Sequence, residues 1–208
     1  MMPIHLRPHD LLRVLTARAY FDFVDDAEVA FKYIRRDALV VVRRAADLNA
    51  SIAVGIRGDT RSERYAATMS CEAILEVISP VGLLHVATSH KCAAFDSLAT
   101  LKERWPNLSN TWGPTGSVAF ELASGRPTVN DKSDLDILMN IDLPITKDEA
   151  SRLLQDTRDL PCKVDVQVET AVGEFALEEY ASGTGKVLMR TCAGVKLTRD
   201  PWDLREGA

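Results

Sequence analysis

Two carboxylates one residue apart, Asp134 and Asp136, open the run Asp134-Leu135-Asp136-Ile137-Leu138-Met139. So apolar a run predicts a buried strand. Alternation along a strand puts Asp134 and Asp136 on one face and Leu135, Ile137 and Met139 on the other. Two ionised carboxylates held side by side repel each other and need a compensating charge. A divalent cation supplies it, and Mg²⁺ takes oxygen ligands, typically one or two carboxylates together with substrate phosphates. Asp134 and Asp136 are therefore read as metal ligands and catalytic residues, with Mg²⁺ or Mn²⁺ as the expected cofactor.

Upstream lies Gly116-Ser117, at the start of a predicted helix. Helix N-termini offer unpaired N–H groups and a positive dipole end to phosphate. Glycine allows close backbone approach, and the Ser117 hydroxyl adds a donor. By itself a Gly-Ser pair is an ordinary helix start; its pairing with Asp-x-Asp makes it a phosphate-binding expectation. Lys132, just before the carboxylate strand, is placed either to neutralise a leaving diphosphate or simply in a solvated loop. The combination suits metal-assisted attack on a phosphate.

Gly-Ser, helix, then Asp-x-Asp on a strand resembles the nucleotidyltransferase superfamily, the fold shared with DNA polymerase beta. The longer strings WGPTGSVAFELASG and SDLDIL resemble the malonate decarboxylase holo-acyl carrier protein synthase family, the phosphoribosyl-dephospho-CoA transferases. HDLL from His9, VVVRRA from Val40 and VGIRGDTRSERYAA from Val54 fit the same family. The resemblance spans His9 to Trp202. It implies triphosphoribosyl-dephospho-CoA as donor and a serine of the apo acyl carrier protein subunit of malonate decarboxylase as acceptor. It also implies a third metal-binding carboxylate on a neighbouring strand, for which Asp165 is the natural candidate and Glu169 the weaker one. Asp165 reads equally well as part of the polar face of an alternating strand. Arg57 and Arg61, with Arg64, lie in a matched stretch and are read as a clamp for phosphates or an acidic partner. One alternative is another metal-dependent nucleotidyltransferase acting on a protein or small acceptor; a third reading is a non-catalytic binding module.

The elements that must position these residues form an α/β (α+β) chain of two lobes. Residues 1–80 are read as an N-terminal α/β lobe. Residues 81–208 are read as the catalytic domain, a nucleotidyltransferase-like mixed sheet with flanking helices. In the first lobe, Pro8-His9-Asp10 is read as opening a helix carrying Leu11, Leu12 and Leu15, and a second helix covers Asp26 to Arg36. Strands are expected at Ala38–Arg43, Ser51–Arg57 and Ala73–Ile78; Arg61 to Met69 is ambiguous. In the second lobe, helices are expected at Val81–Ala87, Ala94–Trp105, Ser117–Ala123 and Lys147–Asp156. The last has a capping box from Thr146 to Glu149. A strand at Lys163–Glu169 carries Asp165. A short helix, Gly173–Tyr180, precedes a hairpin of Lys186–Arg190 and Val195–Leu197 turning at Ala193-Gly194.

At 208 residues with 46% hydrophobic and 26% charged, the chain can build a core without disulfides. Cys71, Cys92, Cys162 and Cys192 form no C-x-x-C pair, so no zinc site or redox motif is indicated. A net charge of −5 argues against bulk nucleic-acid binding. MMPIHLRPHD has no apolar targeting region and no run is long enough to cross a bilayer, so a cytoplasmic location and no membrane partner are expected. His5 and His9 lack an H-E-x-x-H context, and His85 and His90 are read as structural. Gly183-Thr184-Gly185-Lys186 imitates a P-loop but has Tyr180 and Val187 at required positions, and is rejected.

Overall fold

The computed structural model describes residues 6–24, 26–46, 51–60, 62–108, 111–183 and 185–203. It divides into two units, Met1–Ser79 and Pro80–Ala208, each with its own six-stranded sheet.

The first unit runs β1 (Leu11–Val14), β2 (Phe21–Phe23), α1 (Ala27–Asp37), β3 (Leu39–Val42), β4 (Ser51–Arg57), β5 (Arg64–Ser70) and β6 (Ile74–Ile78). The order across the sheet is β2-β5-β4-β3-β1-β6, and every neighbouring pair is antiparallel. Helix α1 buries Ala30, Tyr33 and Ile34, the i, i+3, i+4 spacing of one helical face. These pack with Leu12, Val40, Val54, Ile56 and Met69 from the sheet.

The stretch after His9, expected as a helix, is strand β1. His9 takes a left-handed φ of 73°, and the Asp10 side chain accepts the Arg7 amide at 2.8 Å, closing a turn. Leu11 and Leu12 are then buried on opposite faces, between β3 and β6. A strand buried on both faces reads as a continuous apolar run, which periodicity does not separate from a helix. The ambiguous segment resolves as β5, and the short β2 carries no sequence signal of its own.

The second unit runs α2 (Pro80–Leu83), α3 (Ala93–Arg104), β7 (Trp112–Pro114), α4 (Gly116–Ser124), β8 (Leu135–Asn140), α5 (Lys147–Gln155), β9 (Val164–Glu169), β10 (Glu174–Ala176), α6 (Leu177–Ala181), β11 (Val187–Thr191) and β12 (Gly194–Thr198). The sheet order is β12-β11-β10-β9-β8-β7. Only β8 and β9 run parallel among these pairs. Leu135, Ile137, Met139, Val166 and Val168 form its buried apolar face. Trp112 sits opposite Met139 and packs edge-on against Trp105, whose indole N–H donates to Asp156.

Three expectations shift here. The helix expected over Val81–Ala87 stops at Leu83; Gly82 lies within it, and Leu84 is buried by the turn that follows. Gly173–Tyr180 is not one helix: Phe175 is fully buried opposite Val168 in β10, and only Leu177–Ala181 is helical. The hairpin turns at Cys192-Ala193, with Gly194 already paired to Thr191 at a φ of 117°. The Thr146–Glu149 capping box forms as expected.

Candidate active site

The parallel pair β8–β9 determines the site. Its register places Asp136 directly beside Asp165. Asp134 lies one residue before β8, so the strand begins at Leu135 rather than at Asp134. Carboxylate oxygens of Asp134, Asp136 and Asp165 lie within 4.8 Å of one another, and all three residues are half-buried. Leu138 shares strand parity with Asp136 yet is buried, so β8 is covered on both faces beyond the carboxylate.

Three local devices hold this cluster. An Asx turn closes Asn130 to Ser133: the Lys132 amide donates to the Asn130 side chain, and the Asn130 amide to Ser133 Oγ. The Thr115 amide donates to the Asp136 carbonyl at 2.8 Å, tying the start of α4 to β8. Gly116 takes a φ of 61°, and a Cβ there would collide with Asp136 Oδ2. Glycine is therefore demanded twice at this position, by conformation and by contact.

Lys163, missed by the sequence reading, makes a 2.5 Å ion pair with Asp165. The Asp165 carboxylate, with the Asp134 charge adding to it, holds the Lys163 ammonium above its ordinary range. Its position two residues before Asp165 on an alternating strand was the available signal.

The loop after α4 is braced from inside. Buried Glu121 accepts the Thr128 and Val129 amides at 2.7 and 2.8 Å and contacts His90 Nδ1 at 2.5 Å. Thr128 Oγ1 also donates to the Ser117 carbonyl. Burial alone pushes the Glu121 carboxyl up; the two amides and His90 outweigh it and hold it below the usual carboxylate range. A cavity of about 370 Å³ opens beside this pair, lined in part by Thr88, Ser89, Leu122 and Pro127. A lone acid inside the apolar helix GSVAFELAS was the signal for Glu121; its partner His90 comes from a distant loop.

Ser117 is half-buried in the first turn of α4, and Lys132 is exposed in the turn before Asp134. Arg57 ends β4 in the first unit, directly opposite Arg64 of β5. Arg61 lies outside the described residues.

The donor set is three carboxylates whose oxygens span 4.8 Å at most. Oxygen donors that converge this closely, all from carboxylates, are of the kind a small hard cation takes, so the residue types fit one. Fold and site together describe a class, an α+β chain whose arrangement suits phosphoryl or nucleotidyl transfer.

Comparison with known proteins makes this particular. The family model described as the Phosphoribosyl-dephospho-CoA transferase MdcG C-terminal domain matches residues 82–201, and that of the MdcG N-terminal domain matches residues 7–80. A phosphoribosyl-dephospho-CoA transferase of Pseudomonas putida (strain W619) is 36% identical over 97% of this chain and 98% of its own length. One from Pseudomonas syringae pv. tomato is 35% identical over 96% and 94% respectively, and one from Azotobacter vinelandii 36% over 94% of each. None of the solved structures matches the chain. The chain belongs to the phosphoribosyl-dephospho-CoA transferase family, as the motifs WGPTGSVAFELASG and SDLDIL led us to expect, and it is a transferase.

Proposed function

We propose that this transferase moves the phosphoribosyl-dephospho-CoA group from triphosphoribosyl-dephospho-CoA to a serine of the apo acyl carrier protein subunit of malonate decarboxylase. The serine Oγ forms a bond to the phosphorus attached to the ribose. The bond from that phosphorus to the bridging oxygen of the terminal diphosphate breaks, diphosphate leaves, and the serine proton passes to solvent. The observation that carries this reading is the convergence of Asp134, Asp136 and Asp165 beside the Gly116 turn, in a chain of this family.

In that reading the three aspartates hold Mg²⁺ or Mn²⁺. When bound, the cation polarises the attacked phosphate and offsets charge on the leaving group. Gly116 and Ser117 present helix-start N–H groups to the diphosphate. Lys132 stands at the rim, where its charge meets the leaving group. Arg57 and Arg61 serve donor or carrier binding. The location proposed is cytoplasmic, on the sequence reading; no helix among the described residues is long and apolar enough to cross a membrane.

Intact-protein mass spectrometry of the apo carrier tests the reading after incubation with this protein, the donor and Mg²⁺. The expected gain is one phosphoribosyl-dephospho-CoA group, absent with Asp134→Ala or Asp136→Ala. No gain, or full labelling by those variants, overturns it. Labelling from an ordinary nucleoside triphosphate instead moves the protein to a different nucleotidyl donor.

A further inference from the structure

The reaction proposed above has a folded protein as acceptor, so a surface of this chain must receive it close to the carboxylates. Strand registers locate that surface within the second unit. Residues directly opposite across a strand pair share a face, and alternate residues along a strand share it too. Asp165 shares a face with Glu169, which pairs with Glu174; Glu174 pairs with Arg190, and Arg190 with Val195. Two residues back along β11, Leu188 pairs with Leu197. One continuous sheet face thus runs from Asp165 to Leu188, Val195 and Leu197.

The opposite face is closed. Val166, Val168, Phe175 and Met189 are buried there, with the Tyr180 and Trp202 rings packed on Phe175. On the Asp165 face, the β7 side is also taken, because Gly113 lies hard against the Pro80 backbone of α2. Toward β12 the face is open. Leu188, Val195 and Leu197 are 38%, 66% and 58% exposed. They surround Arg190, which reaches inward to Glu174 and Gln167. Beta-strands lie about 4.8 Å apart, which puts β11 about 10 Å and β12 about 14 Å from β9. A protein whose serine reaches Asp165 over this face must rest on those strands.

We propose that the outer face of the β11–β12 hairpin is the docking surface for the acceptor protein. The partner it fits presents aliphatic side chains beside its reactive serine, with a carboxylate at the rim to meet Arg190. Three exposed aliphatic side chains grouped on an edge hairpin match such a partner better than they match solvent.

The test uses the full chain and the apo carrier subunit. Carrier binding is measured by calorimetry without donor, and transfer by intact mass over a range of carrier concentrations. Leu197→Asp is expected to raise both the Kd and the KM for carrier at least about tenfold. Its kcat at saturating carrier and its KM for donor should stay within about twofold, with an unchanged thermal midpoint, because the side chain is exposed. Val195→Asp should repeat the result. Leu143→Asp, 78% exposed beyond the far end of β8, should behave as the unsubstituted protein. If the unsubstituted protein transfers the group and both hairpin variants keep its KM and Kd, the docking surface lies elsewhere and the proposal falls. If the unsubstituted protein neither binds nor modifies the carrier, the acceptor assignment itself fails, and the docking proposal with it.

Discussion

Each sheet places like charges directly opposite one another, and the two units handle them differently. In the first, Arg57 faces Arg64 across an antiparallel pair. In the second, Asp136 faces Asp165 across a parallel pair. The antiparallel strands β4 and β5 are consecutive, so the two arginines flank one short connection at the end of a hairpin. Parallel strands begin at the same edge, so whatever precedes each of them collects there. Asp134 and Lys163 reach the acidic pair in this way, and the Gly116 turn reaches it from the end of the antiparallel β7. A third pair, Glu169 opposite Glu174, has Arg190 bound to Glu174 as its counter-charge. At Glu169 and Glu174 the gathered charge neutralises the pair, whereas at Asp136 and Asp165 a third carboxylate joins it, and that excess of acid marks the candidate site.

The largest effect is expected at Gly116. Gly116→Ala would force an L-residue into φ 61° and push against Asp136 Oδ2. Displacement of the carboxylate by even ~1 Å costs on the order of a hundredfold in rate. Transfer by Gly116→Ala is expected to fall at least that far, with a lowered thermal midpoint. Near-full turnover would mean that Asp136 tolerates movement and that the turn is not part of the site.

Glu121 comes next, as the brace behind α4. Glu121→Gln keeps the shape but weakens a carboxylate that accepts two amides and contacts His90. The expected loss is about 1–3 kcal/mol, the range for disturbing a buried, charge-assisted hydrogen-bonding group. The folded carboxyl sits below its ordinary value of 4.5. Its stabilisation is therefore complete above that pH and is lost as pH falls through the depressed folded value. Denaturant unfolding at pH 7 and at pH 3 should show the gap between unsubstituted protein and variant narrowing at acid pH. A gap that widens would show that the charge is not what Glu121 contributes.

The sequence made some of this legible for local reasons. The capping box at Thr146 and Glu149 and the alternating strand around Asp165 lie within short windows, and each formed where expected. Asp134 and Asp136 stood out because acids opening an apolar run are locally incongruous. The parts that stayed hidden depend on contacts between distant segments. The β1 run reads as a helix because burial on both faces erases the strand period. β7 is three residues including glycine and proline, too short for any pattern. His90 and Glu121 are 31 residues apart, and only the fold brings them together. Asp165 reads two ways from the sequence, and its place beside Asp136 comes from the β8–β9 register, which no short window contains.

Lys163 is the counter-charge of the acidic pair. Its ammonium lies against Asp165, where a cation ligand is proposed. Lys163→Met is expected to tighten Mn²⁺ binding by the donor-free protein about fivefold. That corresponds to the ~1 kcal/mol one unit charge exerts on another at 4 Å through water. Titration calorimetry of the full chain reads this directly. Weaker Mn²⁺ binding would make Lys163 a brace that orients Asp165 rather than a competing charge.

The smallest effect tests the basic pair. Like charges directly opposite across strands destabilise by roughly 0.2–1 kcal/mol. Arg64→Gln is therefore expected to raise the stability of the protein by an amount in that range at low salt. The gain should shrink toward zero near ~1 M salt, where the screening length falls to about 3 Å. Arg57→Gln should bring the same relief and, if Arg57 grips donor or carrier as proposed, a weaker affinity for one of them. Relief of repulsion together with lost binding would show that β4 and β5 carry the arginine pair at a cost in stability for the sake of a ligand. Loss of stability in both variants, with binding intact, would instead make the two guanidinium groups structural, and the acidic pair of β8 and β9 would stand alone as a site.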